Sequence, residues 1–162
     1  MSVTEHDLAK ALRAWGDGMV SISSAYRQNG YENARNVAKN LINELYGYRI
    51  GSVLFKPTLS GGAQTFRTSE DGALSYFVGG NSDYPDDSGF AIQGWRQVFS
   101  DTKAVFLDEN IALWMGWVTL VNTDGQTTKV DKSFGFKLYE GSHLKIVLHH
   151  SSLPYRIYSE FL

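Results

Sequence analysis

The sequence predicts an α+β fold in which a strongly curved antiparallel sheet wraps, cone-like, over N-terminal helices. Three observations carry that prediction. Two amphipathic helical patterns occupy the N-terminal part of the 162 residues, β patterning is continuous from Phe90 onward, and the turns between the β runs are short. Short connections make successive strands antiparallel neighbours.

Between Thr4 and Arg27, apolar residues fall at Leu8, Leu12, Trp15, Met19, Ile22 and Tyr26, and these steps of three and four line one face of a helix. Thr4 with Asp7 three residues on has the form of a capping box, and Asn29-Gly30 supplies the stop. Gly16 and Gly18 each cost about 0.5–1 kcal/mol relative to Ala in a helix interior, so they point to a bend or to a close approach by another backbone. Asp17 falls opposite Leu8 on the helical wheel, a solvated position. A second pattern runs from Glu32 to Tyr46, with Val37, Leu41, Ile42 and Leu45 on one side, until "YGYRIG" breaks it.

The segment Ser52 to Leu59 is β-like, and Pro57 places it on an edge or at a strand end. Ser69 caps a short helix over Ser69 to Val78 that stops at Gly79-Gly80. The polar stretch "NSDYPDDSG" follows, read as a connection in preference to a lid. Strands are expected at 90–99, 102–107, 111–122, 127–139 and 143–151, the first two compatible with one bent strand. The turns are Asp108 to Asn110, Asn122 to Gly125 and Glu140 to Ser142, and "TDG" is a strong hairpin signal.

In "IALWMGWVTLV", Ile111, Leu113, Met115 and Trp117 share one face, while Ala112, Trp114, Val118 and Leu120 share the other. Both faces are apolar and both need cover. Helices serve for one, and a second copy of the chain is the simplest cover for the other, so a homodimer through the sheet face is expected.

Composition narrows the partners. A net charge of −2 without a Lys/Arg stripe gives no reason to expect nucleic acid. The absence of cysteine removes disulfides, thiol nucleophiles and thiolate zinc sites, and suits a reducing cytoplasm. No apolar run approaches the ~20 residues that span a bilayer, and the N-terminus lacks the apolar core of a signal peptide. The expectation is one cytoplasmic domain over residues 1–162, with no membrane partner.

The segment "DKSFGFKLYEGSHLKIVLHHSS" (Asp131 to Ser152) resembles the last hairpin of the association domain of calcium/calmodulin-dependent protein kinase II. That domain belongs to the nuclear transport factor 2-like superfamily, which also holds SnoaL-like polyketide cyclases. His150 and Ser152 match the second histidine and the serine of the motif H-x-H-x-S. Leu148 stands in place of the first histidine, and Ser151 in place of the hub's arginine. The resemblance implies the cone-shaped fold, also called cystatin-like. For function it implies only a choice among isomerases, dehydratases, hydrolases, cyclases and non-catalytic assembly domains.

Strand alternation sorts the histidines. Leu144, Ile146 and Leu148 form an apolar face that His150 continues, while Lys145, Val147 and His149 lie opposite. The two histidines diverge and lack a third ligand, so no metal and no cofactor are expected. His150 becomes the candidate catalytic acid or base, with an ordinary pKa near 6.5. Trp95 and Tyr76 are candidate cavity walls. Lys56 and Arg67 are candidate sources of positive charge for a ligand, and Asp131-Lys132 is read as a structural pair. No close carboxylate pair, nucleophile elbow or P-loop is present. The function expected from sequence is a pocket for a small organic ligand, with cofactor-independent isomerisation, dehydration or hydrolysis at His150. The alternative is a non-catalytic dimerisation or binding module.

Overall fold

A computed structural model describes residues 2–141 and 143–157. The first helical pattern forms α1, Glu5–Asn29, and Thr4 and Asp7 make the expected reciprocal capping box. The helix runs through both glycines. A methyl on Gly16 would sit 3.2 Å from Val98 of the sheet, and one on Gly18 would sit 2.4 Å from the side chain of Leu41. Each glycine therefore lets a neighbouring element pack close. The second pattern forms α2, Tyr31–Leu45, and Ser69 caps α3, Glu70–Val78, by accepting from the Gly72 amide.

The strands are β1, Leu54–Lys56; β2, Trp95–Asp108; β3, Ile111–Asn122; β4, Thr127–Tyr139; and β5, His143–Ser152. Phe90–Ile92 is a short 3-10 turn, and β2 is one strand with irregularities at Arg96 and Lys103. The expected final turn is described as far as Gly141, Ser142 lying outside the described residues. The sheet order is β1-β5-β4-β3-β2. The meander β2 to β5 is antiparallel, and β1 closes the other edge in parallel with β5. The fold is the α+β cone expected from the sequence, with an open, mixed five-stranded sheet over the helices. The β3–β4 ladder pairs residue for residue and carries Ala112, Trp114, Val118, Leu120, Val130 and Phe134 into the core. No helix among the described residues is long and apolar enough to cross a membrane.

One irregularity overturns the expected facing of the last strand. On β5, Ile146 pairs with Phe136, but Leu148 pairs with Gly135, so Val147 is an extra residue opposite no partner. A bulge of one residue exchanges the two faces of everything beyond it. Ile146 points inward before the bulge, and His149 and Ser151 point inward after it, while His150 is exposed. Gly135 accommodates the kink, since a methyl there would lie 2.9 Å from the Leu148 Cβ.

A second glycine, Gly116, lies opposite Lys132 on the inner face. A methyl on it would sit 2.3 Å from the Asp101 carbonyl oxygen and 2.7 Å from the Trp114 indole. Neither backbone nor a buried indole yields easily. Gly116→Ala is expected to lower the unfolding free energy by about 1–3 kcal/mol, measured by urea denaturation with the slope unchanged.

Candidate active site

The bulge delivers His149 and Ser151 to the inner face beside Lys132 of β4, since Lys132 pairs with Ser151 in the ladder. Thr58 arrives just after β1, the Pro57 position ending that strand. Its Oγ1 lies 2.6 Å from the Ser151 Oγ. Lys132 Nζ donates to the Ser151 Oγ at 3.0 Å and lies 2.8 Å from the His149 Nε2. His149 Nδ1 is 2.9 Å from the Tyr46 hydroxyl, which accepts from the Trp15 indole at 3.0 Å. Six side chains from α1, the end of α2, the β1 edge, β4 and β5 thus form one hydrogen-bonded line. All six are buried.

Aromatic packing sets the geometry. The His149 ring stacks on Phe55 at 4.5 Å and lies against Phe134 at 4.4 Å, with the Trp15 ring edge-on at 5.7 Å. Lys132 Nζ sits 4.6 Å from the centre of the Trp15 ring, a cation–π distance. Lys56 reaches the same place from the sheet edge, its Nζ donating to the Ser151 carbonyl at 2.8 Å.

Burial governs the charges. It brings the Lys132 ammonium down to about 7; neighbouring Asp131 opposes that and Lys56 reinforces it. Burial also holds His149 well below the usual imidazole range, helped by Lys132 and His150, so the ring is neutral at physiological pH. Tyr76 is pushed up to about 12, again chiefly by burial, and keeps its proton.

Tyr76 links this polar line to open space. Its hydroxyl accepts from the Leu59 amide at 3.2 Å, next to Thr58. Tyr76 and Leu59 also line a cavity of about 310 Å³, walled further by Asp87, Phe90, Trp95 and Asn122. The cavity wall is pinned by Arg67. Its guanidinium binds the Asp87 carboxylate through two 2.7 Å bonds and donates to the carbonyls of Gln64 and Gly72. Although burial works to raise the Asp87 carboxyl, the bonds from Arg67 and from Ser75 outweigh it and hold the group below the usual carboxylate range. The loop Asn81–Gly89 is therefore a tethered connection that forms part of the cavity wall.

The residues singled out from sequence separate accordingly. Trp95 and Tyr76 share the cavity, and Lys56 touches the polar line at a backbone oxygen. Arg67 is buried and stands behind the wall, committed to Asp87. His150 faces outward, in ladder register with Ser133, which pairs in turn with Met115. His149, which alternation placed outside, occupies the interior. Sequence reasoning missed Thr58, Ser151 and the site contact of Lys132. A lone glycine inside a strand pattern is a recognised bulge signal, and Gly135 in "SFGFKL" was the one available pointer to the exchange of faces. Among the described residues no group of three or more His, Asp or Glu side chains is arranged to hold a metal ion.

Comparison with known proteins adds the family. The metal-independent carbonic anhydrase family profile matches residues 6–153. The metal-independent carbonic anhydrase of Nostoc sp. strain PCC 7120 is 43% identical over 154 residues, spanning 95% of this chain and 75% of that protein. The crystal structure of a cyanobacterial iota-carbonic anhydrase complexed with bicarbonate superposes with a TM-score of 0.95 at 42% identity, covering 96% of this chain and 95% of that one. A putative calcium/calmodulin-dependent protein kinase II association domain from Xanthomonas campestris shares the fold at a TM-score of 0.58 and 17% identity, with 96% and 91% covered. The expectation of an uncharacterised isomerase, dehydratase or hydrolase for an organic ligand is thereby overturned, and with it the alternative of a non-catalytic association module. The chain belongs to the metal-independent carbonic anhydrase family.

Proposed function

We propose that this protein interconverts carbon dioxide and bicarbonate, holding bicarbonate at the hydroxyl pair of Thr58 and Ser151. The observation that carries the reading is that pair, two buried hydroxyls 2.6 Å apart with Lys132 bonded to Ser151 on one side and Tyr76 bonded to Thr58 on the other. Bicarbonate presents acceptor oxygens, and Thr58, Ser151 and Tyr76 are neutral groups able to donate. No buried carboxylate stands in the polar line to repel the anion. The aromatic walls of the adjoining cavity, Tyr76, Phe90 and Trp95, suit the apolar carbon dioxide molecule equally well.

In the hydration direction, a water oxygen adds to the carbon of carbon dioxide. One carbon–oxygen π pair becomes the new oxyanion, which the Thr58 hydroxyl, held by Ser151, stabilises, and the water's proton departs to buffer through the cavity beside Tyr76. Preorganised donors at a developing oxyanion are the largest electrostatic aid available without an ion. Stopped-flow hydration assays with a pH indicator test the assignment. Thr58→Val and Ser151→Ala are each expected to lower kcat/KM by roughly 10- to 100-fold, while the outward-facing His150→Ala leaves it near the wild-type value. Full activity in both hydroxyl variants removes the reading.

The outer sheet face supports a homodimer. Phe106 and Leu113 pair across β2 and β3, Met115 follows, and all three are exposed, at 60%, 42% and 57%. Such a contiguous apolar patch on a sheet is suited to a second copy. Light scattering is expected to give twice the mass of one chain, and Met115→Asp to return it to that of one.

A further inference from the structure

The buried line of hydrogen bonds has a direction. Trp15 Nε1 can only donate, so the Tyr46 oxygen receives its hydrogen. Among the described residues, the single hydrogen of the Tyr46 hydroxyl then has one acceptor within reach, His149 Nδ1. A neutral imidazole with Nδ1 accepting carries its hydrogen on Nε2, and the atom that faces it at 2.8 Å is Lys132 Nζ. An ammonium has no lone pair to receive that hydrogen, whereas an amine has one. The remaining two amine hydrogens also find places, one on the Ser151 Oγ and one over the Trp15 ring. With Ser151 receiving from Lys132, its own hydrogen goes to Thr58, and the Thr58 hydrogen is left to point onward to Tyr76 and the ligand.

We infer that Lys132 is a positioning residue of this site that works as a neutral amine, accepting from His149 and donating to Ser151, so that Ser151 donates to Thr58 and the Thr58 hydroxyl is turned outward as the donor to bicarbonate. The inference rests on the reading of those hydroxyls as the bicarbonate site. The opposite arrangement, with a Lys132 ammonium donating to Nε2, puts the imidazole hydrogen on Nδ1, so that the Tyr46 oxygen accepts from both Trp15 and His149. Among the described residues, it leaves the Tyr46 hydrogen buried without a partner and a buried cation with no carboxylate in hydrogen-bond contact.

The surroundings agree. The charged or titratable groups about Lys132 are His149 from β5, which it touches, Lys56 from β1 and Asp131 on its own strand, with Tyr46 from the end of α2 and the outward His150 reaching it only through His149. On α1 it meets Trp15 and across the ladder on β3 it is paired with Gly116, neither of which carries a charge. Among the described residues Asp131 is the one group favouring the ammonium, and burial outweighs it, bringing Lys132 to about 7. The sign of the pH effect follows. Protonation of Lys132 at lower pH removes the acceptor for Nε2–H, and the outward order of the hydroxyls is restored as pH rises through that value.

The test is a 15N NMR titration of the full-length protein, with Lys132→Arg serving to assign the Nζ resonance. The expected result is an amine at Lys132 above about pH 8 and a His149 ring protonated on Nε2 and not on Nδ1. Hydration activity is expected to rise with pH along the same titration. Lys132→Arg, which cannot accept, should lose roughly 10- to 100-fold in kcat and lose that rise as well. A Lys132 that remains an ammonium at about pH 9, or a His149 carrying its hydrogen on Nδ1, overturns the inference whatever the activity. So does a Lys132→Arg variant that keeps the wild-type pH profile. A wild-type protein that shows the expected NMR titration but does not hydrate carbon dioxide instead overturns the bicarbonate reading and leaves the state of Lys132 standing.

Discussion

The interior of this protein depends on one extra residue in its last strand. Val147 has no partner on β4, and because side chains alternate along a strand, that single insertion exchanges the faces of His149, His150 and Ser151. Without it, the inner face beyond Ile146 would continue with Leu148 and His150, and the serine that meets Thr58 and Lys132 would face outward. The bulge is sustained from both sides. Gly135 on β4 offers no side chain against Leu148, and on the opposite edge Ile146 bridges to Tyr46 before β1 takes over at Leu148. The same place therefore changes the partner strand, shifts the register and turns the polar side chains inward.

A polar line this deep in an aromatic core is stable only when its members satisfy one another. Trp15, Tyr46, His149, Lys132, Ser151 and Thr58 do so with contacts of 2.6 to 3.0 Å. Burial then does two things together. It suppresses charge on His149 and Lys132, and it fixes which atoms donate, since each hydrogen has few places to go. Phe55 and Phe134 clamp the imidazole so that the ring cannot turn to other partners. The wall around the cavity is held by a different device, the bidentate Arg67–Asp87 pair, which ties the loop before β2 to the start of α3.

The comparison with association domains shows how little of this chemistry the fold dictates. The Xanthomonas structure has the same architecture at 17% identity, and the resemblance of the final hairpin to that family is real at the level of strands and turns. The bicarbonate-bound iota-carbonic anhydrase superposes far more closely and shares 42% of residues. A curved sheet over helices supplies an interior, and a handful of side chains decides what that interior can hold. For the same reason the isomerase and hydrolase expectations, which rested on the fold, had no purchase on the actual family.

By itself, the sequence determined the elements. The capping box at Thr4, the Ser69 cap, the strands over 111–122 and 127–139 and the apolar faces of β3 were legible because each depends on residues close in the chain or on strict periodicity. Tyr76 and Trp95 were candidate cavity walls in the sequence and do border the cavity, but nothing close in the chain separated them from the other core aromatics. Only the tertiary structure decided that His149 and not His150 faces inward. That choice turns on a register between β4 and β5, which is set by pairing across strands and not by the order of residues within one. It also decided that Lys132 is a member of the buried line and not half of a structural pair with Asp131. A lysine next to an aspartate reads as an ion pair in one dimension, but alternation sends the two side chains to opposite faces, and the inner face is where Ser151 and His149 already lie.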